Sequence, residues 1–178
     1  MITSEVVNDL SRRTTGMMKS VEEFAGVDAL SAKNISELIS KMLEKSMSTL
    51  IEVAVAPNLD SEPDIRLNGS PVEIKTSSGE TWRGGAYSKR SVHFVFVSWE
   101  MDENYIPTWF IVGIDLIESD WKLSKSKNYY ATTFGKKELK ANGERVTFYH
   151  GSMEGYMRGK QSCIKIYREV WFWNKRNW

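Results

Sequence analysis

The segment Asp64–Lys75, DIRLNGSPVEIK, constrains the fold more than any other part of the chain. Asn-Gly between two alternating runs is the strongest short signal for a two-residue hairpin, because both loop positions of a type I′ turn need positive φ. With Asn68 and Gly69 in the loop, Leu67 faces Ser70, Arg66 faces Pro71, Ile65 faces Val72 and Asp64 faces Glu73. Counted outward from the turn, 66:71 is a non-hydrogen-bonded pair, which suits a proline that has no N–H to donate. The same count makes 64:73 a close pair, with Cα atoms about 4.5 Å apart. One face of the hairpin then carries Ile65, Leu67, Val72 and Ile74, and the other carries Asp64, Glu73 and Lys75.

The apolar face needs a partner, and the preceding residues supply one. From Asn34 to about Val53 the apolar residues Ile35, Leu38, Ile39, Met42, Leu43, Met47, Leu50 and Ile51 recur at spacings of three and four, as on one side of a helix. Asn34 followed by Glu37 reads as the capping box that starts it. Residues 1–30 also have helical spacing and are expected to form an arm or a dimer contact. Strands are expected at Val92–Trp99, Trp109–Ile117, Arg145–Tyr149 and Ile164–Trp173. A helix, a hairpin and a series of strands predict an α+β (mixed α/β) fold, with a central mixed β-sheet flanked by helices. At 178 residues the chain is expected to be a single domain.

Composition narrows the setting. No apolar run approaches the roughly 18 residues of a membrane span, and MITSEVVNDL lacks the basic, then apolar, start of a secretory signal. Cys163 is the only cysteine, so no internal disulfide and no cysteine-rich zinc site can form. A cytoplasmic protein with no membrane partner is expected. The net charge of +1 hides an asymmetry: residues 1–64 hold 6 Lys/Arg against 11 Asp/Glu, and residues 65–178 hold 18 against 12. A cationic face is therefore compatible with a nearly neutral total.

Two carboxylates directly opposite one another in a strand pair repel. A divalent cation reverses the sign of that interaction, and Mg²⁺ takes few protein carboxylates while keeping several waters. The backbone carbonyl of Ile74, between Glu73 and Lys75, is a further candidate ligand. The alternative is a surface hairpin on which Lys75 merely neutralises Glu73, in an exposed pair worth less than about 1 kcal/mol.

Pro63-Asp64, eight intervening residues and then Glu73-Ile74-Lys75, placed after a helix, resemble the PD-(D/E)XK nuclease superfamily, and most of all its type II restriction endonucleases. The resemblance covers about residues 34–99. It implies a restriction-endonuclease-like core, Asp64 and Glu73 as Mg²⁺ ligands together with the Ile74 carbonyl, and Lys75 orienting the attacking water and steadying charge on the phosphate. Many members of the superfamily take another acid from the preceding helix. Here Glu44, about 20° around the helix from Ile51 and so on the border of the apolar stripe, is the best candidate.

The resemblance also implies sequence-specific cleavage of double-stranded DNA by a homodimer whose two-fold symmetry matches a palindromic site. A repair or structure-processing nuclease, or an inactive DNA-binding module on the same fold, are the alternatives. Residues 76–91, TSSGETWRGGAYSKRS, are the first choice for DNA contact, through Ser77, Ser78, Arg83, Lys89 and Arg90 with Trp82 and Tyr87 interleaved. Lys122–Lys140 is a second basic stretch, and His150–Lys160 is a candidate recognition loop. His93, inside an apolar strand, reads as a packed or edge histidine.

Overall fold

The structure, a computed structural model, describes residues 2–26, 30–51, 54–55, 62–79, 81–85, 90–125 and 130–151. The expected strand Ile164–Trp173, Lys89, Tyr87, Cys163 and most of His150–Lys160 lie outside the described residues.

Helix α1 (Ser4–Ala25) starts at Thr3, whose hydroxyl accepts from the Val6 N–H at 3.3 Å. Val6, Val7, Leu10, Thr14 and Met18 form its buried face. Residues 4–25 are thus not a projecting arm. Their apolar face packs on α2 (Ala32–Leu50) and on the sheet, where the Trp109 indole donates to the Ser11 hydroxyl at 2.7 Å and the Thr15 hydroxyl donates to the Tyr105 carbonyl at 2.9 Å. An apolar helical stripe is consumed by the nearest apolar surface, which here belongs to the same chain.

Helix α2 begins two residues before Asn34. Ser31 is its N-cap, and Asn34 is the reciprocating residue of the capping box: the Asn34 N–H donates to Ser31 Oγ at 3.2 Å and the Ser31 N–H donates to Asn34 Oδ1 at 3.3 Å. Glu37, expected as the cap partner, instead forms an exposed pair with Lys33 one turn back. Ile35, Ile39, Leu43 and Met47, four apart, are the apolar residues α2 buries.

The main sheet has six strands in the order β1 (Ala54–Val55), β2 (Ile65–Leu67), β3 (Ser70–Ser77), β5 (Val92–Met101), β6 (Pro107–Leu116) and β9 (Val146–Gly151). Neighbours are antiparallel except β3 and β5, which run parallel, so the sheet is mixed. A smaller sheet in the order β4 (Thr81–Arg83), β8 (Tyr130–Gly135), β7 (Lys122–Lys125), with the short helix α3 (Lys136–Ala141), was not anticipated from the sequence.

Two cores result. Helices α1 and α2 cover one face of the main sheet through Ile65, Val72, Ile74, Val95, Val97 and Ile111. The other face meets the small sheet and α3 through Phe94, Phe96 and Ile114 packed on Trp82, Trp121 and Phe134. β6 pairs on both sides, and at Gly113 the side chain of Phe148 on β9 fills the space a side chain would need: a Cβ would lie 2.1 Å from its ring.

Candidate active site on the β2–β3 hairpin

The hairpin register is the expected one over three rungs, Leu67–Ser70, Arg66–Pro71 and Ile65–Val72. Asn68 and Gly69 both have positive φ, 50° and 81°, as a type I′ turn requires. Ile65, Val72 and Ile74 are buried beneath α2, with Leu67 packed against them.

The expected fourth rung, Asp64 opposite Glu73, is absent from the ladder. β2 begins at Ile65, and Asp64 turns back so that its Oδ2 accepts from the Ile74 N–H at 2.7 Å. The reason lies one residue earlier. Continued register would set Pro63 opposite Ile74 as a hydrogen-bonded pair, and proline has no N–H for the Ile74 carbonyl. The ladder ends there, and the Asp64 carboxylate takes over the amide that the strand would have paired. Both backbone groups of a strand residue point to the same side, so the Ile74 carbonyl is directed toward Asp64's side of β3 and not toward β5.

Glu73 and Lys75 lie beside Phe94 and Phe96 in the parallel register and so project from the face opposite Val72 and Ile74. Lys75 Nζ donates to Glu73 Oε1. Glu73 is not displayed on the surface, as expected from the sequence, but is only 4% exposed, because the small sheet and its aromatics close over that side of β3. Its second oxygen, Oε2, is buried with no hydrogen-bond partner. Such an atom is costly to leave unmet, on the order of 1–3 kcal/mol.

Glu44, on α2, is also 4% exposed. Both of its oxygens accept from Lys41 Nζ, at 2.9 and 3.0 Å. Tertiary contacts fix how far along the sheet α2 sits: the Thr76 hydroxyl donates to the Ser36 carbonyl at 2.7 Å, and the Trp99 indole donates to the Ser36 hydroxyl at 2.9 Å. Glu44 lies two turns beyond that anchor, within electrostatic reach of Asp64.

Burial raises the pKa of both acids. For Glu73, desolvation is the largest cause, partly opposed by the Lys75 charge and by hydrogen bonds from Lys75 and the Asp64 backbone, and reinforced by the Asp64 charge. For Glu44, desolvation again leads, Lys41 opposes it, and Asp64 adds to the rise. Two acids that hold protons more tightly folded than unfolded stabilise the fold most in acid, below the ordinary carboxyl range, and that contribution is lost as pH rises through their elevated values. Metal-free protein is therefore expected to lose thermal stability as pH rises above the ordinary carboxyl range and through the elevated values, and a Glu44→Gln/Glu73→Gln double variant to show a flatter profile, measured by unfolding in chelator.

Asp64, Glu73, the Ile74 carbonyl and Lys75 thus lie at the end of the β2–β3 ladder, and Glu44 on α2 feels the Asp64 charge without joining them. Among the described residues no group of three or more His, Cys, Asp and Glu side chains converges closely enough to hold an ion. The donor set nevertheless fits Mg²⁺, which prefers one or two carboxylates with water and phosphate oxygens completing the shell. The unmet Oε2 of Glu73 is the observation that matches a cation to this place.

The residues expected to touch DNA are dispersed. β3 runs on to Ser77, whose hydroxyl accepts from the Gly79 N–H at 3.0 Å, and Ser78 is exposed. Residues 81–83 are not loop but strand β4, with Arg83 exposed and Trp82 in the core, its indole donating to the Val97 carbonyl at 3.1 Å. Arg90 is exposed at the entry to β5. His93 is half-buried near the start of β5, which is paired on both sides, with its Nδ1 2.9 Å from Asp115 Oδ1 on β6. The Lys122–Lys140 stretch forms β7, β8 and most of α3, with Lys122 and Lys137 exposed. Lys41, which grips Glu44, was not singled out from the sequence.

No protein-family model matches the chain, and no curated protein matches its sequence. Among the described residues no helix is long and apolar enough to cross a membrane.

Proposed function

We propose that the protein is a metal-dependent phosphodiesterase acting on DNA. More particularly, it is a type II restriction endonuclease that cuts double-stranded DNA with Mg²⁺ as a homodimer. The observation that carries this reading is the buried, unpartnered Oε2 of Glu73 beside Asp64 and Lys75, an oxygen that a bound cation would satisfy.

Asp64 and Glu73, with the Ile74 carbonyl, would hold the ion. Bound there, Mg²⁺ would act as a Lewis acid toward the scissile phosphate and lower the pKa of the attacking water. Lys75 keeps its ammonium against Glu73 Oε1, from which it orients that water and offsets negative charge developing on phosphorus. The Asp64–Ile74 hydrogen bond fixes the Asp64 carboxylate relative to the Ile74 carbonyl, so two of the ligands are preset by one short contact. Exposed Arg83 and Arg90 belong to the basic portion of the chain and would meet the DNA backbone. The dimer follows from the symmetry of a duplex site, and its interface cannot use the apolar face of α1, which is already buried.

Incubation of plasmid and phage DNA with protein and Mg²⁺ tests this directly. Reproducible discrete fragments are expected, and Lys75→Ala is expected to cut about 100-fold more slowly or worse. Cleavage only at branched or damaged structures would move the protein to a repair role. No cleavage of any substrate, or a Lys75→Ala protein as active as wild type, would sink the proposal.

A further inference from the structure

Glu44 is the site acid whose carboxylate is fully engaged. Lys41, one turn earlier on α2, donates to both of its oxygens, and the pair is asymmetric: the Glu44 side chain is 5% exposed and the Lys41 side chain 53%. A buried carboxylate is thus held by an ammonium whose stem lies in solvent. Held this way, Glu44 does not converge with Asp64 and Glu73 into a three-acid group, although it lies close enough for the Asp64 charge to disfavour its ionised form.

The ammonium and a divalent cation compete for the same two oxygens. The ammonium is also the partner that a DNA phosphate would attract, since lysine binds phosphate as a mobile point charge on a flexible stem. We propose that Lys41 is a latch: it holds Glu44 away from the metal until duplex DNA draws the ammonium onto its backbone, so that the site reaches full metal affinity only with substrate present. This rests on the nuclease reading above and adds to it a residue outside the motif. Coupling of this kind is reciprocal, so metal must tighten DNA by the same factor as DNA tightens metal. Lys41 acts through Glu44 and is a positioning residue.

Calcium binding measured by calorimetry at about pH 8, with and without a mixed-sequence DNA duplex, tests the latch without cleavage. For wild type, the duplex should tighten Ca²⁺ by about tenfold. Lys41→Gln should bind Ca²⁺ roughly 3- to 10-fold more tightly than wild type in the absence of DNA, and the duplex, through its phosphate oxygens alone, should tighten it by less than it tightens wild type. Lys41→Gln/Glu44→Gln should lose that gain. A merely structural i,i+3 pair would give a different result, a lower melting temperature with Ca²⁺ affinity unchanged. Lys41→Gln that binds Ca²⁺ no better than wild type, or that keeps the full response to duplex, overturns the latch while leaving the nuclease reading intact. Wild-type protein with no Ca²⁺ binding dependent on Asp64 and Glu73 overturns both.

Discussion

Glu73→Gln is expected to abolish Mg²⁺-dependent cleavage, by about 1,000-fold or more, and yet to melt no lower than wild type in chelator. The usual expectation for a substitution at a site 4% exposed is destabilisation. Here the sign reverses for two reasons. The carboxylate's desolvation cost is incompletely offset, since Lys75 reaches one oxygen and the other has no partner. Glutamine is nearly isosteric, keeps an acceptor for Lys75, and replaces a desolvated carboxylate with a neutral amide beside the Asp64 charge. The fold should gain on the order of 1 kcal/mol. Comparing melting curves in chelator and in excess Mg²⁺ separates the two effects, because a ligand that binds only the native state stabilises it by mass action. Wild type should gain from Mg²⁺ and Glu73→Gln should not. A Glu73→Gln protein that melts well below wild type in chelator would show that the carboxylate is structurally satisfied and that the acid pair needs no cation.

Phe96→Ala is expected to be the most damaging of the core changes and to impair the site as well. Phe96 is fully buried and stacks on Trp82 at 4.6 Å and Phe134 at 5.2 Å between centroids, with Phe94 at 5.6 Å and the edge of Trp121 at 6.0 Å. It is the side chain through which the main sheet grips the small one. Truncation removes these contacts and leaves a cavity, at a cost of about 3–5 kcal/mol. Phe96 is also the register partner of Lys75, and Phe94 of Glu73. A hydrated cavity beside them would return solvent to Glu73 and lower its raised pKa. Urea denaturation should show the loss of stability. A cost below about 1 kcal/mol would mean that the small sheet does not depend on this stack.

What was legible before the structure was local. The Asn68-Gly69 turn has a conformation that few other dipeptides adopt, and it sets three rungs of register over a distance of a few residues. The apolar spacing of residues 35–51 marked a helix and the side it buries, and Glu44's place at the stripe border was read from the same periodicity. The start of that helix was misplaced because Ser31 and Asn34 can each cap, and only the backbone geometry decides which one does. The end of the β2–β3 ladder was misplaced by one rung, at Asp64–Glu73, because Pro63, next along the strand, has no N–H for the Ile74 carbonyl and the pairing stops short of it.

What only the tertiary structure decided is the burial of the site. Nothing in the order of residues 76–91 says that Trp82 turns inward while Arg83 turns outward, because alternation over three residues is too short to register as a strand. Once Trp82 and Phe134 pack on Phe94 and Phe96, the side of β3 that carries Glu73 loses its water, and an acid expected on the surface becomes a desolvated charge with an unmet oxygen. Turn chemistry and periodicity act between near neighbours and are written in the chain. Desolvation depends on what distant segments place above a residue, and it is desolvation that makes this pair of carboxylates a candidate for a cation.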